Sequence, residues 1–186
     1  TSDGLDLLYH TLGGSITIDR VRAEGNAGNQ IKVAGRAAIT NSVMVGNCTF
    51  FEGQPFSYQI APDVCRALGN TLSVSYTGGE TVSVVNSTLY GQGDGLISAG
   101  PRDGFTCAGN ETLTARNTIF RGDDDSTSPG DITFLFYQEE CGGLRLESDY
   151  NVIYRAKNAE CGASLTYVDS GAHDICQDPV LARPLA

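Results

Sequence analysis

A ten-residue pattern recurs along this chain. It reads Val82-Ser-Val84-Val-Asn86-Ser-Thr-Leu89-Tyr-Gly91, then Leu113-Thr-Ala115-Arg-Asn117-Thr-Ile-Phe120-Arg-Gly122. Ala37-Ala-Ile39-Thr-Asn41-Ser-Val-Met44-Val-Gly46 fits every position. Apolar or small residues stand four and two before the Asn, a hydroxyl residue follows it, a large apolar residue comes at plus three and Gly at plus five. Ile16-Thr-Ile18-Asp-Arg20 and Leu144-Arg-Leu146-Glu-Ser148 fit the first half. The anchors 20, 41, 86, 117 and 148 are spaced by 21, 45, 31 and 31 residues. A period of this length marks a solenoid, in which no unit can bury its apolar face alone.

Within each unit the apolar residues alternate with polar ones over short runs. Gln30 to Val33, Leu72 to Tyr76, Leu96 to Ala99 and Ile132 to Phe136 are examples. Alternation gives a strand with one face inward. Three short strands and three turns fill 21 residues, and stacked coils ~4.8 Å apart pair every interior strand. The expectation is all-β: a parallel β-helix forming one domain over 1–186. Asn41, Asn86 and Asn117 then fall at turns, where Asn tolerates a left-handed backbone, and stack as a structural ladder.

The spacing of 45 holds either two coils or one coil with an insertion. An insertion near 48–70 is expected, with a short helix near 62–68. Pro62 suits a first helical position, Gly69 suits the residue after a helix end, and Val64, Cys65 and Leu68 share a face.

The six cysteines, Cys48, Cys65, Cys107, Cys141, Cys161 and Cys176, form no C-x-x-C pair, and His10 and His173 stand apart, so a zinc site is not indicated. The even count, only two lysines and a net charge of −10 point to an oxidising, extracytoplasmic home and three disulfides. Cys48 with Cys65 would close the insertion; Cys141 with Cys161, or Cys161 with Cys176, would follow. The negative charge speaks against nucleic acid and anionic membranes as partners, and no apolar run approaches the ~18 residues that span a bilayer. Met44 is the only Met, so the start Thr1-Ser2-Asp3-Gly4 reads as a mature product, a processed piece or an excised segment.

The repeats resemble the right-handed parallel β-helix proteins, which include pectate-lyase-like enzymes and many bacterial surface proteins. From residue 80 onward the order is more specific. Leu113-Thr-Ala-Arg-Asn117-Thr-Ile-Phe is followed by Glu140-Cys141-Gly142, Ser148-Asp-Tyr150-Asn151-Val-Ile, Cys161 and Asp178-Pro179-Val-Leu181-Ala-Arg-Pro-Leu185-Ala186. This series is similar to secreted polymorphic β-helix proteins of bacteria that carry a sorting or choice-of-anchor tail. The loops here are longer and richer in Asp than that pattern. The resemblance implies a right-handed coil, export and a surface location, and implies no activity.

The chemistry-bearing residues are few. A lyase of this architecture needs carboxylates for Ca²⁺ and a Lys or Arg base, and the lysines are Lys32 and Lys157 alone. Asp123, Asp124 and Asp125 form the one dense acidic run, a candidate calcium site in a Gly- and Ser-rich loop. Arg116 and Arg145 are expected on one face of successive coils, and Asp94, Asp103 and Asp131 within reach of Arg102 or Arg121. Arg121-Gly122-Asp123 spells an integrin-type tripeptide, but Gly122 is already the glycine of the repeat. Asn47, Asn86 and Asn110 head glycosylation sequons, with Asn86 expected to be shielded. No nucleophile elbow or phosphate loop is present.

The expected role is therefore a secreted or cell-surface structural or adhesive module without catalysis or cofactor, calcium aside. Its partners would be surface glycans or copies of itself, with no nucleic acid and no membrane insertion. The rival readings are a carbohydrate-active, lyase-like or sugar-binding protein and a self-assembling surface or filament subunit. A groove where carboxylates and a base converge from several coils would favour the enzyme; scattered charges would favour the module.

Overall fold

The computed structural model describes residues 3–8, 13–46, 69–123, 132–159 and 164–181. Strands follow one another in groups of three. The first coil holds β1 (Leu5–Leu7), β2 (Ser15–Asp19) and β3 (Arg22–Glu24). The second holds β4 (Ile31–Ala34), β5 (Arg36–Thr40) and β6 (Val43–Gly46), the third β7 (Asn70–Tyr76), β8 (Thr81–Val85) and β9 (Thr88–Gly91). β10 (Gly95–Pro101), β11 (Thr112–Arg116) and β12 (Ile119–Gly122) make the fourth, and β13 (Phe134–Gln138), β14 (Leu146–Asp149) and β15 (Val152–Tyr154) the fifth. β16 (Ser164–Leu165), β17 (Val168–Ser170) and β18 (Ile175–Cys176) begin a sixth.

The coils stack into three sheets. The first runs β1-β4-β7-β10-β13, the second β16-β17-β14-β11-β8-β5-β2 and the third β18-β15-β12-β9-β6-β3. All pairings between named strands are parallel except β16 with β17. This is a parallel β-helix. β4, β5 and β6 pair directly with β7, β8 and β9, so the 45-residue spacing is one coil carrying an insertion. Residues 47–68, with the expected helix, Cys48 and Cys65, lie outside the described residues.

The inward positions build one continuous core. Ile31, Val33, Leu72, Val74 and Ile97 enter from the first sheet, Ile39, Val82, Val84 and Leu113 from the second, and Met44, Leu89 and Phe120 from the third, each at most 1% exposed. Burying a side chain of this size stabilises by about 1.5–3 kcal/mol, and stacking supplies that in every coil.

At the corner between the second and third sheets, Arg20, Asn41, Asn86, Asn117 and Tyr150 all adopt a left-handed backbone, with φ from 51° to 60°. The register pairs Val85 with Arg116, so Asn86 and Asn117 sit on adjacent coils as expected. The fifth anchor, however, is Tyr150, not Ser148. Leu113 pairs with Leu146 and Ala115 with Ser148. The passage from β12 to β13 is eight residues longer than that from β9 to β10, and the passage from β13 to β14 six shorter than that from β10 to β11, a net gain of two; in the shorter turn the Leu144 N–H donates to the Cys141 carbonyl at 2.9 Å and Leu144 is buried. Arg116 is consequently level with Asp149, which it meets at 3.3 Å, while Arg145 pairs with Asp169 at 2.7 Å. The two arginines share the outer face of the second sheet on successive coils, four register positions apart and each beside its own aspartate. β13 starts two residues later than the alternation of Ile132 to Phe136 suggests. The Thr133 hydroxyl, which donates to the Gly91 carbonyl at 3.1 Å, makes a corner there.

Cys107 is bonded to Cys141, with Cα atoms 5.2 Å apart. This overturns the expected Cys141–Cys161 bridge. β10 and β13 are neighbours, so their exit loops leave the same corner one coil apart, and 34 residues of sequence separation close to a short span. Cys176 is also disulfide-bonded, and no cysteine among the described residues is free.

Candidate functional site

A polar groove of about 240 Å³ opens on the outer face of the first sheet. Its composition follows from the pleat. With Ile31, Val33, Leu72, Val74, Ile97, Ala99 and Phe136 inward, the alternate residues Lys32, Ser73, Ser75, Ser98, Gly100 and Tyr137 must face out. The registers place Asp6, Lys32, Ser73, Ser98 and Tyr137 in one row, one residue from each of five successive coils. The floor is serine and glycine, with Pro101 and Glu139 at one rim.

Asn29 and Asn70 line the other side through a short ladder. Asp3 accepts from the Asn29 N–H at 2.8 Å and from its amide at 3.0 Å, and Asn29 accepts from the Asn70 N–H at 3.1 Å and its amide at 3.2 Å. Lys32 Nζ lies 3.4 Å from Asp3. Burial opposes ionisation of Asp3, but the Asn29 donors and the Lys32 ammonium outweigh it and hold the carboxyl below its ordinary 3.8. Tyr137 spans the far end. Its ring lies over Gly95, where a β-carbon would meet it at 2.7 Å, and its hydroxyl bonds the side chains of Asn70 and Ser98. Burial pushes that phenol above its ordinary value.

Four carboxylates away from the groove are tied to the scaffold. Glu80 accepts from the Thr77 N–H at 3.1 Å, the Gly78 N–H at 2.8 Å and the Thr77 hydroxyl. Glu111, in register one coil on, accepts from the N–H groups of Gly79 at 2.9 Å, Gly109 at 2.8 Å and Ala108. In both, burial resists ionisation and the donors prevail, so both titrate below the ordinary 4.5. Asp19 is lowered by the Asn41 amide and the Thr40 hydroxyl, and Asp149 by His173 and the Tyr150 N–H against the cost of burial. Such groups are held as anions, the opposite of what a general acid requires.

The residues singled out in the sequence fall elsewhere. Of Asp123, Asp124 and Asp125 only Asp123 lies within the described residues. It accepts the Tyr90 hydroxyl at 2.6 Å and stands 3.5 Å from Arg155. Arg121 lies over Tyr90 and Tyr154, 5.7 Å from each ring, and 3.7 Å from Asp178. The Arg-Gly-Asp tripeptide is thus packed on the outer face of the third sheet. Arg102 covers the Phe105 ring at 5.4 Å, and Asp94 stands beside Tyr137. No group of three metal-ligating side chains occurs among the described residues.

The anchor asparagines are exposed at their turn, Asn86 included. The Asn86 amide reaches Asn41 at 3.5 Å, and the Asn41 amide donates to Asp19 at 2.8 Å. The tighter ladder is the residue after each anchor. Ser42 Oγ accepts from the Val21 N–H at 3.1 Å, Ser87 Oγ from Ser42 at 3.1 Å, Thr118 Oγ1 from Ser87 at 3.4 Å and Asn151 from Thr118 at 2.8 Å. All four side chains are at most 4% exposed. The repeated hydroxyl at plus one was the signal for it.

Comparison of the chain with family models, with curated proteins and with solved structures returns no match in any of the three.

Proposed function

We propose that this chain is a non-catalytic adhesive module of the cell surface or the extracellular space, and that it holds carbohydrate in the groove of the first sheet. The observation that carries this reading is the outward row Lys32, Ser73, Ser98 and Tyr137, drawn from four successive coils and flanked by the Asn29 and Asn70 amides and the Ser75 hydroxyl. Sugars are recognised by just such groups, which both donate and accept. An open groove over a rigid sheet suits an extended ligand, and little of the floor need reorganise to receive it. The Cys107–Cys141 bridge supports an oxidising compartment.

The lyase-like alternative receives less support. The groove's one described lysine is engaged with Asp3, and the shifted carboxylates are lowered. A base must instead be free to take a proton at working pH. The test is a panel of polysaccharides offered to the protein with and without Ca²⁺, read for retention, for unsaturated product and for new reducing ends. Retention without product is expected. Turnover with any member, lost on Lys32→Met, would replace this reading with an enzyme.

A further inference from the structure

We infer that the ligand of this groove is a neutral glycan chain lying across the strands, about one sugar per coil. This deepens the binding reading above and rests on it. The first argument is charge. The only cation facing the groove among the described residues is Lys32, and Asp3 neutralises it at 3.4 Å. Asp6 is beside Lys32 in register, Glu139 stands exposed at the far rim and Asp94 lies near Tyr137. The groove is therefore net negative on a chain of net charge −10. A uronate or sulfated chain would bring one like charge per unit into it and would leave its carboxylates without partners.

The second argument is spacing. Successive members of the row, Lys32, Ser73, Ser98 and Tyr137, are one strand apart, ~4.8 Å. An extended β-linked pyranose chain advances by about that distance per sugar, so successive units meet the polar groups of Lys32, Ser73, Ser98 and Tyr137 in turn, one coil apart. The third argument is shape. Ser73, Ser75, Ser98 and Gly100 keep the floor low, and Tyr137, laid over Gly95, gives one firm end. A small ligand would not need a low floor over several coils; a chain would.

The experiment is titration of the intact protein with xylohexaose, cellohexaose and hexagalacturonate at low salt, followed by calorimetry. Binding of at least one neutral hexamer and none of the acidic one is expected. Ser73→Tyr, which raises the middle of the floor, is expected to weaken neutral binding by at least about tenfold. Thr114→Tyr on the outer face of the second sheet should leave it unchanged. Unaltered circular dichroism shows that both variants fold. Exposed Glu139→Lys supplies a second route: hexagalacturonate should gain measurable binding, and its continued failure to bind would count against the charge argument. Hexagalacturonate binding that Ser73→Tyr abolishes would overturn the neutral assignment and keep the groove as a binding site. Binding indifferent to Ser73→Tyr, or none by any hexamer, would remove the groove reading itself.

Discussion

At the level of single residues, the repeat assigns two different jobs to neighbours that look alike in sequence. The anchor asparagine is chosen for its backbone: a left-handed conformation that costs most residues about 1–2 kcal/mol. The hydroxyl that follows is chosen for its side chain. Ser87 accepts the Ser42 N–H from the coil above and donates to the Val85 carbonyl at 2.9 Å, all within the core. Ser87→Ala is therefore expected to destabilise by about 1–3 kcal/mol, through a buried N–H left without an acceptor. Asn86→Gly should cost no more than about 1 kcal/mol, because Gly adopts the same φ freely. Urea unfolding of the two variants measures this; equal losses, or a larger one for Asn86→Gly, would return the ladder to the asparagines.

Among the structural elements, the corners rather than the strands carry the specificity. Gly46, Gly91 and Gly122 occupy the same repeat position but not the same space. A β-carbon on Gly46 would meet its nearest neighbours at ordinary contact, 3.5 Å. On Gly91 it would press on the Thr71 methyl at 3.0 Å, and on Gly122 it would overlap the Arg155 carbonyl. Alanine scanning of the three should give thermal losses rising in that order, with Gly122→Ala costing roughly 1–3 kcal/mol or more; a flat series would contradict the stacking at this corner. The turns before β8 and β11 make a second case. Glu80 and Glu111 have folded pKa values below their unfolded ones, so their contribution is complete above the ordinary 4.5 and is lost as pH falls below it and through the lower folded values. Thermal midpoints should be level from pH 7 to about 5 and drop below it, and Glu111→Gln should lower the midpoint at pH 7 and flatten the drop. An unchanged acid slope in that variant would show that the carboxylate does not hold the turn. The strands were legible because alternation and the plus-five glycine repeat in phase. The corners were less so. Two extra residues before β14 shifted the anchor to Tyr150, and the Cys107–Cys141 bridge depends on which loops share a corner, which only the register reveals. The groove was present in the sequence as the polar alternates Ser73, Ser75 and Ser98. They gain meaning once the coils are aligned and the serines fall into rows.

Taken whole, the molecule is a stack whose internal ladders close on carboxylates. Asp3 and Asp19 accept the donors of the first described coils, and Asp174 accepts from the Asn151 N–H at 2.9 Å and the Ser148 hydroxyl at 2.7 Å at the other end. Antiparallel β16 turns back on β17 there, which interrupts the parallel edge. The most direct test is nuclear magnetic resonance of the labelled protein titrated with a neutral β-linked hexasaccharide. The account predicts shifts in the amides around Lys32, Ser73, Ser98 and Tyr137, a line crossing four coils, with the second sheet silent. Shifts centred on the Arg121 face of the third sheet, or on the anchor turns, with the first sheet unmoved, would contradict it.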